Sequence, residues 1–122
     1  MRFDAIVDLL GQARFAPVLH RPLFRHLGFV TNRTFESFYA DTIPVLMLPR
    51  DFVSSIYGAA ALRLVPGDDL AAHLIEVMRA PEPYWEAVIQ TRAHLAEHHS
   101  YARRFEQLGK LAAVHSARGA VR

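Results

Sequence analysis

Apolar side chains recur along the chain at helical spacing in some stretches and as short continuous runs in others, and the changes between the two mark out its elements. Phe3, Ile6, Val7 and Leu10 share one helical face, and Gly11 ends the pattern. Phe15–Leu19 reads as a short strand whose Pro17 suits an edge or a strand start, because proline has no amide to give to a ladder. His20–Thr31 reads as a loop with a short apolar turn at Leu23-Phe24 and a bend at Gly28. Thr31 or Asn32 caps a helix to about Ala40 that buries Phe35, Phe38 and Tyr39. A strand over Pro44–Leu48 follows, then a helical turn near Asp51–Tyr57 ended by Gly58, and a further strand over Ala61–Val65 that stops at Pro66-Gly67.

The rest of the chain is helical by the same criteria. Asp68 or Asp69 caps a helix over Leu70–Arg79 with Leu70, Leu74 and Val77 inward. Pro81 and Pro83 separate it from a helix over about Tyr84–His98, which buries Tyr84 or Trp85, Val88, Ile89 and Leu95. Ser100 caps a last helix to about Ser116 with Tyr101, Phe105, Leu108 and Leu111 inward, and Ala117–Arg122 reads as a frayed tail. Short strands separated by helices predict an α/β fold: a small parallel sheet flanked by helices, with a helical C-terminus, in one domain over residues 1–122.

Composition narrows the classes. With 122 residues, 52% of them hydrophobic, the chain supports one packed domain. A net charge of +2 argues against nucleic acid as a partner. The absence of cysteine excludes disulfides and thiolate metal sites. No apolar run approaches the roughly 18 residues of a membrane span, and the N-terminus lacks a signal-peptide core, so the expectation is a cytoplasmic protein without a transmembrane segment.

Candidate chemistry gathers at one helix start. Glu36 is an acid near a helix N-terminus, where it either stabilises the helix through the dipole or offers two oxygens to a ligand diol such as a ribose. Arg33 lies among Thr31, Asn32 and Thr34, a guanidinium with short polar neighbours that suits a phosphate as well as it suits solvent. His20, Arg21, Arg25 and His26 either line the same mouth or form a solvated basic loop. His94 and His98 stand four residues apart with His99 adjacent, yet no third ligand is evident, so no metal site is assigned. There is no Gly-rich phosphate loop and no nucleophile elbow, and no nucleophile–base pair can be nominated as catalytic.

The run Thr34-Phe35-Glu36-Ser37-Phe38-Tyr39-Ala40-Asp41-Thr42-Ile43-Pro44-Val45-Leu46 resembles the Glu-Ala-x-Ala-x-Gly-x-Pro-Val segment of GT-B glycosyltransferases, especially the CgeB-like and group 1 families. Leu64-Val65-Pro66-Gly67-Asp68 is similar to the family's strand-then-Pro-Gly-Asp step. His99-Ser100-Tyr101 with Arg103 or Arg104 is similar to the His-Thr-Tyr…Arg step that opens the final helix of CgeB-like chains. The resemblance spans roughly Phe15 to Leu111. It implies the later part of a Rossmann-like, nucleotide-sugar-binding C-terminal domain, with Glu36 on the donor's ribose hydroxyls and Thr31, Asn32, Arg33 and Thr34 near the diphosphate. The implied activity is hexosyl-type transfer from a nucleotide-diphosphate sugar, which is substrate rather than cofactor, and no cofactor is implied. Two departures stand out: Gly28 occupies the place of an earlier glutamate common in group 1 enzymes, and Thr42 the place of the usual turn glycine. The acceptor-binding half and the usual basic diphosphate ligands have no counterpart in the sequence. The implied partners are therefore the donor and an N-terminal half, supplied by a separate chain or by the rest of a larger protein, without which the chain is expected to be inactive. The rival expectation is a non-catalytic interaction module that self-associates through an uncovered sheet edge or apolar face.

Overall fold

Two four-residue strands, β1 (Phe15–Val18) and β2 (Ile43–Leu46), pair in parallel with Phe15 opposite Ile43 and Val18 opposite Leu46. The structure is a computed structural model that describes the backbone of residues 3–119 and the side chains of residues 5–32 and 35–116. Parallel strands need a crossover. Here it consists of a short helix, α2 (Pro22–His26), and α3 (Asn32–Tyr39). β2 is buried at all four positions, as expected of a strand covered on both faces. On β1 only Ala16 and Val18 are buried, and Pro17 points to solvent, in keeping with its edge assignment.

Helices surround this pair. α1 (Phe3–Gly11) packs on α3, and α4 (Arg50–Tyr57) follows β2. α5 (Leu70–Arg79), α6 (Glu82–His99) and α7 (Tyr101–Gly119) complete the described chain. Asp69 caps α5 by accepting a hydrogen bond from the Ala72 amide at 2.9 Å, and Ser100 Oγ accepts from the Arg103 amide at 3.4 Å at the start of α7. The core joins Phe38 of α3, Leu46 of β2, Val53 and Tyr57 of α4, Val77 of α5 and Val88 of α6. Tyr57 is fully buried, its ring 5.3 Å from that of Phe38. No helix among the described residues is long and apolar enough to cross a membrane.

Several expectations are corrected. Ala61–Val65 is not a strand: residues Ala59–Leu64 form a 3-10 helix, so the sheet has two strands rather than three. Only Ala61 and Leu64 of this stretch are buried, three residues apart as a 3-10 turn requires, and such a short apolar run carries no period that separates strand from helix. Gly58 launches it with φ of 83°, and a Cβ there would stand 3.0 Å from the His94 ring, so both backbone and space call for glycine. Leu23-Phe24 belongs to α2 rather than to a loop turn. Tyr39 and Ile89 face solvent, as does Leu70 in part, while Phe35 and Leu74 are half-buried. Tyr101, Phe105, Leu108 and Leu111 are exposed, because no element of the described chain covers that face of α7. Residues 117–119 continue α7, whereas Phe3's side chain and the tail at 120–122 lie outside the described residues.

One long-range contact ties the helices to the sheet. Arg92 of α6 donates from Nε to the Phe38 carbonyl at 2.6 Å and from Nη2 to the Ala40 carbonyl at 2.9 Å, which satisfies two carbonyls at the end of α3 just before β2. Its third contact, to Asp41 at 3.4 Å, involves a carboxylate that is 88% exposed. Arg92→Ala is expected to lower unfolding free energy by about 2–3 kcal/mol, since charged hydrogen bonds to part-buried acceptors are lost. Asp41→Asn is expected to change it by less than about 0.5 kcal/mol, as for other exposed ion pairs. Urea unfolding of both variants checks the contrast.

Candidate functional site

Asn32, Phe35, Glu36 and Tyr39 follow the i, i+3, i+4, i+7 spacing of one helical face, and on α3 that face lines a cavity of about 540 Å³. Leu95 and His99 at the end of α6, Ser100 at the joint, and Tyr101 and Arg104 in the first turn of α7 form the opposite wall. Ser100 is extended, with φ of −64° and ψ of 158°, so the chain breaks between the two helices and presents the first turn of α7 to the cavity. Side chains from two segments more than fifty residues apart in the chain thus share one space.

Glu36 lines this cavity from the second turn of α3 and is 8% exposed. Thr31 is the N-cap residue in extended conformation, and its side chain makes no capping hydrogen bond. Both Thr31 and Glu36 have interactions within the chain. Asn32 is exposed at the cavity rim. The side chains of Arg33 and Thr34 lie outside the described residues. Thr42, in place of the turn glycine, is buried, and its hydroxyl has no hydrogen-bond partner among the described residues.

The cationic side of the cavity is Arg104. Its Nη2 stands 2.7 Å from His99 Nδ1, and its Nη1 donates to Gln107 Oε1 at 3.0 Å. A guanidinium can only donate, so Nδ1 must accept and the His99 ring is neutral with its proton on Nε2. The electrostatics agree. Burial lowers the His99 pKa below the usual 6.5, the Arg104 charge lowers it further, and a hydrogen bond to the Ile56 backbone pulls the other way. Arg103, the alternative at sequence level, turns elsewhere: it donates to the Glu97 carbonyl at 3.3 Å and pairs with Glu106 at 3.0 Å.

Chemically the cavity offers a buried carboxylate as acceptor, a guanidinium as donor, an amide, a hydroxyl and aromatic walls. That set has the chemistry to meet a polar ligand with hydroxyls and negative charge. Of the two readings of His20, Arg21, Arg25 and His26, a mouth shared with Glu36 is not what the structure shows: His20, Arg25 and His26 open onto a different depression with Pro49, and the exposed Arg21 lines neither. The strand that ends at Val18 sends that loop toward α4, away from the α3–α7 wall. The histidines near the end of α6 pack rather than converge: His94 and His98 stack with centroids 4.3 Å apart, and His98 Nδ1 lies 3.1 Å from the His94 carbonyl. Among the described residues no group of three His, Asp or Glu could hold a metal ion.

Periodicity alone did not assign His99, Ser100, Tyr101 and Arg104 to this wall; the only signal was the resemblance of that step to a known helix start. No family model, curated protein or solved structure matches the chain.

Burial lowers the pKa of His20 and His73 as well as His99. In each case the unfolded chain takes up a proton at a higher pH than the folded one. The stability these neutral rings contribute is therefore complete above pH 6.5 and is lost as pH falls through that value toward the lowered folded pKa. Denaturant unfolding between pH 7.5 and 5.5 (roughly the histidine range) is expected to show falling stability on acidification. His99→Gln should flatten part of that slope.

Proposed function

We propose that the chain is the donor-binding part of a glycosyltransferase of GT-B type, a partial Rossmann-like half that takes a nucleotide-diphosphate sugar in the Glu36 cavity. The observation that carries this reading is convergence. The Thr34–Leu46 segment and the His99–Arg104 segment, which resemble two separate steps of that family, meet on one cavity through Glu36 and Arg104. The parallel β1–β2 pair with its helical crossover is the unit from which Rossmann-like domains are built, and it supports the same reading. In this proposal the Glu36 carboxylate accepts hydrogen bonds from the ribose diol. Arg104, assisted by Thr31, Asn32, Arg33 and Thr34, meets the diphosphate, in place of basic ligands that the sequence does not supply. Transfer moves the glycosyl group from the donor to an acceptor hydroxyl and releases the nucleoside diphosphate. On this reading the acceptor and the second wall of the cleft belong to the N-terminal half of a GT-B enzyme, whether on the same polypeptide or another, so residues 1–122 by themselves bind the donor without turning it over.

The test is a titration of the chain with UDP, GDP and ADP, read from amide shifts. Trp85 is a poor local probe, because it lines another cavity with Gly11 and Arg14. Saturable shifts at Asn32–Tyr39 and His99–Arg104 are expected with at least one nucleotide. Glu36→Gln should weaken that binding by about 1–3 kcal/mol, the range for losing a charged hydrogen bond. Saturable binding elsewhere, or affinity unchanged in the variant, removes Glu36 from the site.

A second reading, a self-associating interaction module, has one observation in its favour. Tyr101 is 85% exposed, and Phe105, Leu108 and Leu111 continue its stripe along α7. On this reading light scattering gives a dimer that binds no nucleotide, and Leu108→Asp returns it to a monomer. A monomer at all concentrations removes it.

A further inference from the structure

β1 and β2 run parallel, so their carboxyl ends emerge on one edge of the sheet, the edge where open α/β folds place ligands. Two adjoining depressions of about 530 and 430 Å³ lie there and share His20, Arg25, His26 and Pro49. His20 follows β1, Arg25 and His26 end α2, and Pro49 leads from β2 into α4. The wall on the α4 side brings in Asp51, Phe52 and Ser55. None of these belongs to the Glu36 cavity.

We infer that this strand-end depression is a binding site for a phosphorylated sugar or polyol, with His20, Arg25 and His26 on the phosphate and Asp51 and Ser55 on hydroxyls. His20 carries the argument furthest. Its ring is held edge-on to Phe52 with centroids 5.3 Å apart, and its Nε2 is buried with no hydrogen-bond partner among the described residues. A buried polar atom left unpaired is costly, and a rotation of the ring that turns Nε2 into the depression would let a ligand oxygen remove that cost. Arg25 makes no ion pair among the described residues, although Asp51 lines the same space. Its guanidinium remains available as the fork that suits a phosphate.

The single acid decides the ligand class. Arg25 and Asp51 offset each other formally, which disfavours a bare anion. A ligand that joins a phosphate to hydroxyls uses both charges. Ser55 Oγ donates to the Phe52 carbonyl at 2.9 Å, so its lone pairs are left to accept from such a hydroxyl, and Phe52 offers an apolar edge for the ring. The frame is preset. Pro22 fixes the start of α2, and Gly28 at φ of 64° turns the chain toward α3. The Phe24 and Phe29 rings close that turn at 6.2 Å.

The experiment titrates the full chain with glucose 6-phosphate, inorganic phosphate and glucose at constant ionic strength, followed by amide and histidine-ring NMR shifts. Saturable shifts at His20, Arg25, His26 and Ser55 are expected, tightest with glucose 6-phosphate. Arg25→Gln, at an exposed position that leaves the fold intact, should weaken this binding by on the order of tenfold, about 1.4 kcal/mol. His20→Asn should do the same, while Glu36→Gln should leave it unchanged. Shifts that never saturate, equal affinity for inorganic phosphate and glucose 6-phosphate, or no loss in Arg25→Gln overturn the inference. Loss of sugar-phosphate binding in Glu36→Gln also overturns it and places the ligand in the other cavity. The outcome does not depend on the donor reading, because nucleotide binding at Glu36 can succeed or fail independently of it.

Discussion

The guanidinium of Arg92 is the hinge pin of the fold. Where α3 ends, its last carbonyls point out of the helix with no amide to receive them, and the chain must turn at once into a buried strand. Arg92 reaches across from α6 and donates to the Phe38 and Ala40 carbonyls, and so fixes α3, β2 and α6 relative to one another. The tilted Phe38 and Tyr57 rings, 5.3 Å apart, pack in the core that these elements share. α6 also carries His99, which meets Arg104 of α7, so the clamp joins the helices whose residues wall the Glu36 cavity.

The sheet is too small to organise the domain by itself. Two strands of four residues offer few ladder hydrogen bonds, and a pair of that length is not independently stable. Stability comes instead from the common core to which α3, α4, α5 and α6 add apolar side chains, with α3, α6 and the 3-10 turn after Gly58 packed on β2 and that turn packed also on α4 and α6. This accounts for the full burial of β2 and the half-exposure of β1. It also explains why α7, which follows the core elements in the chain, keeps its apolar stripe uncovered.

The two candidate sites differ in kind. The Glu36 cavity is a groove between helices, walled by side chains that burial has made neutral or has paired, His99 and Arg104 among them. The strand-end depression is a loop site, where Arg25 stands without an ion-pair partner among the described residues although Asp51 lines the same space. Both lie on turns that follow a strand or a helix end, where backbone direction changes and side chains of unlike chemistry are brought together.

By itself the sequence determined the elements whose signals are local. Gly11 and Gly58 end α1 and α4, Asp69 and Ser100 cap α5 and α7, Pro83 sits in the first turn of α6, and the run after Thr42 is a strand. Each depends on a backbone preference or a capping hydrogen bond that acts within a few residues. The tertiary structure alone decided what depends on partners distant in the chain. It made Ala59–Leu64 a 3-10 turn, since an apolar run too short to show a period takes whatever shape its neighbours leave. It left Tyr39, Ile89 and the α7 stripe exposed, since amphipathic spacing specifies a face but not whether another element exists to cover it. It also separated the basic loop from Glu36 and joined Glu36 to Arg104, because spatial proximity across sixty residues is set by packing and has no local trace.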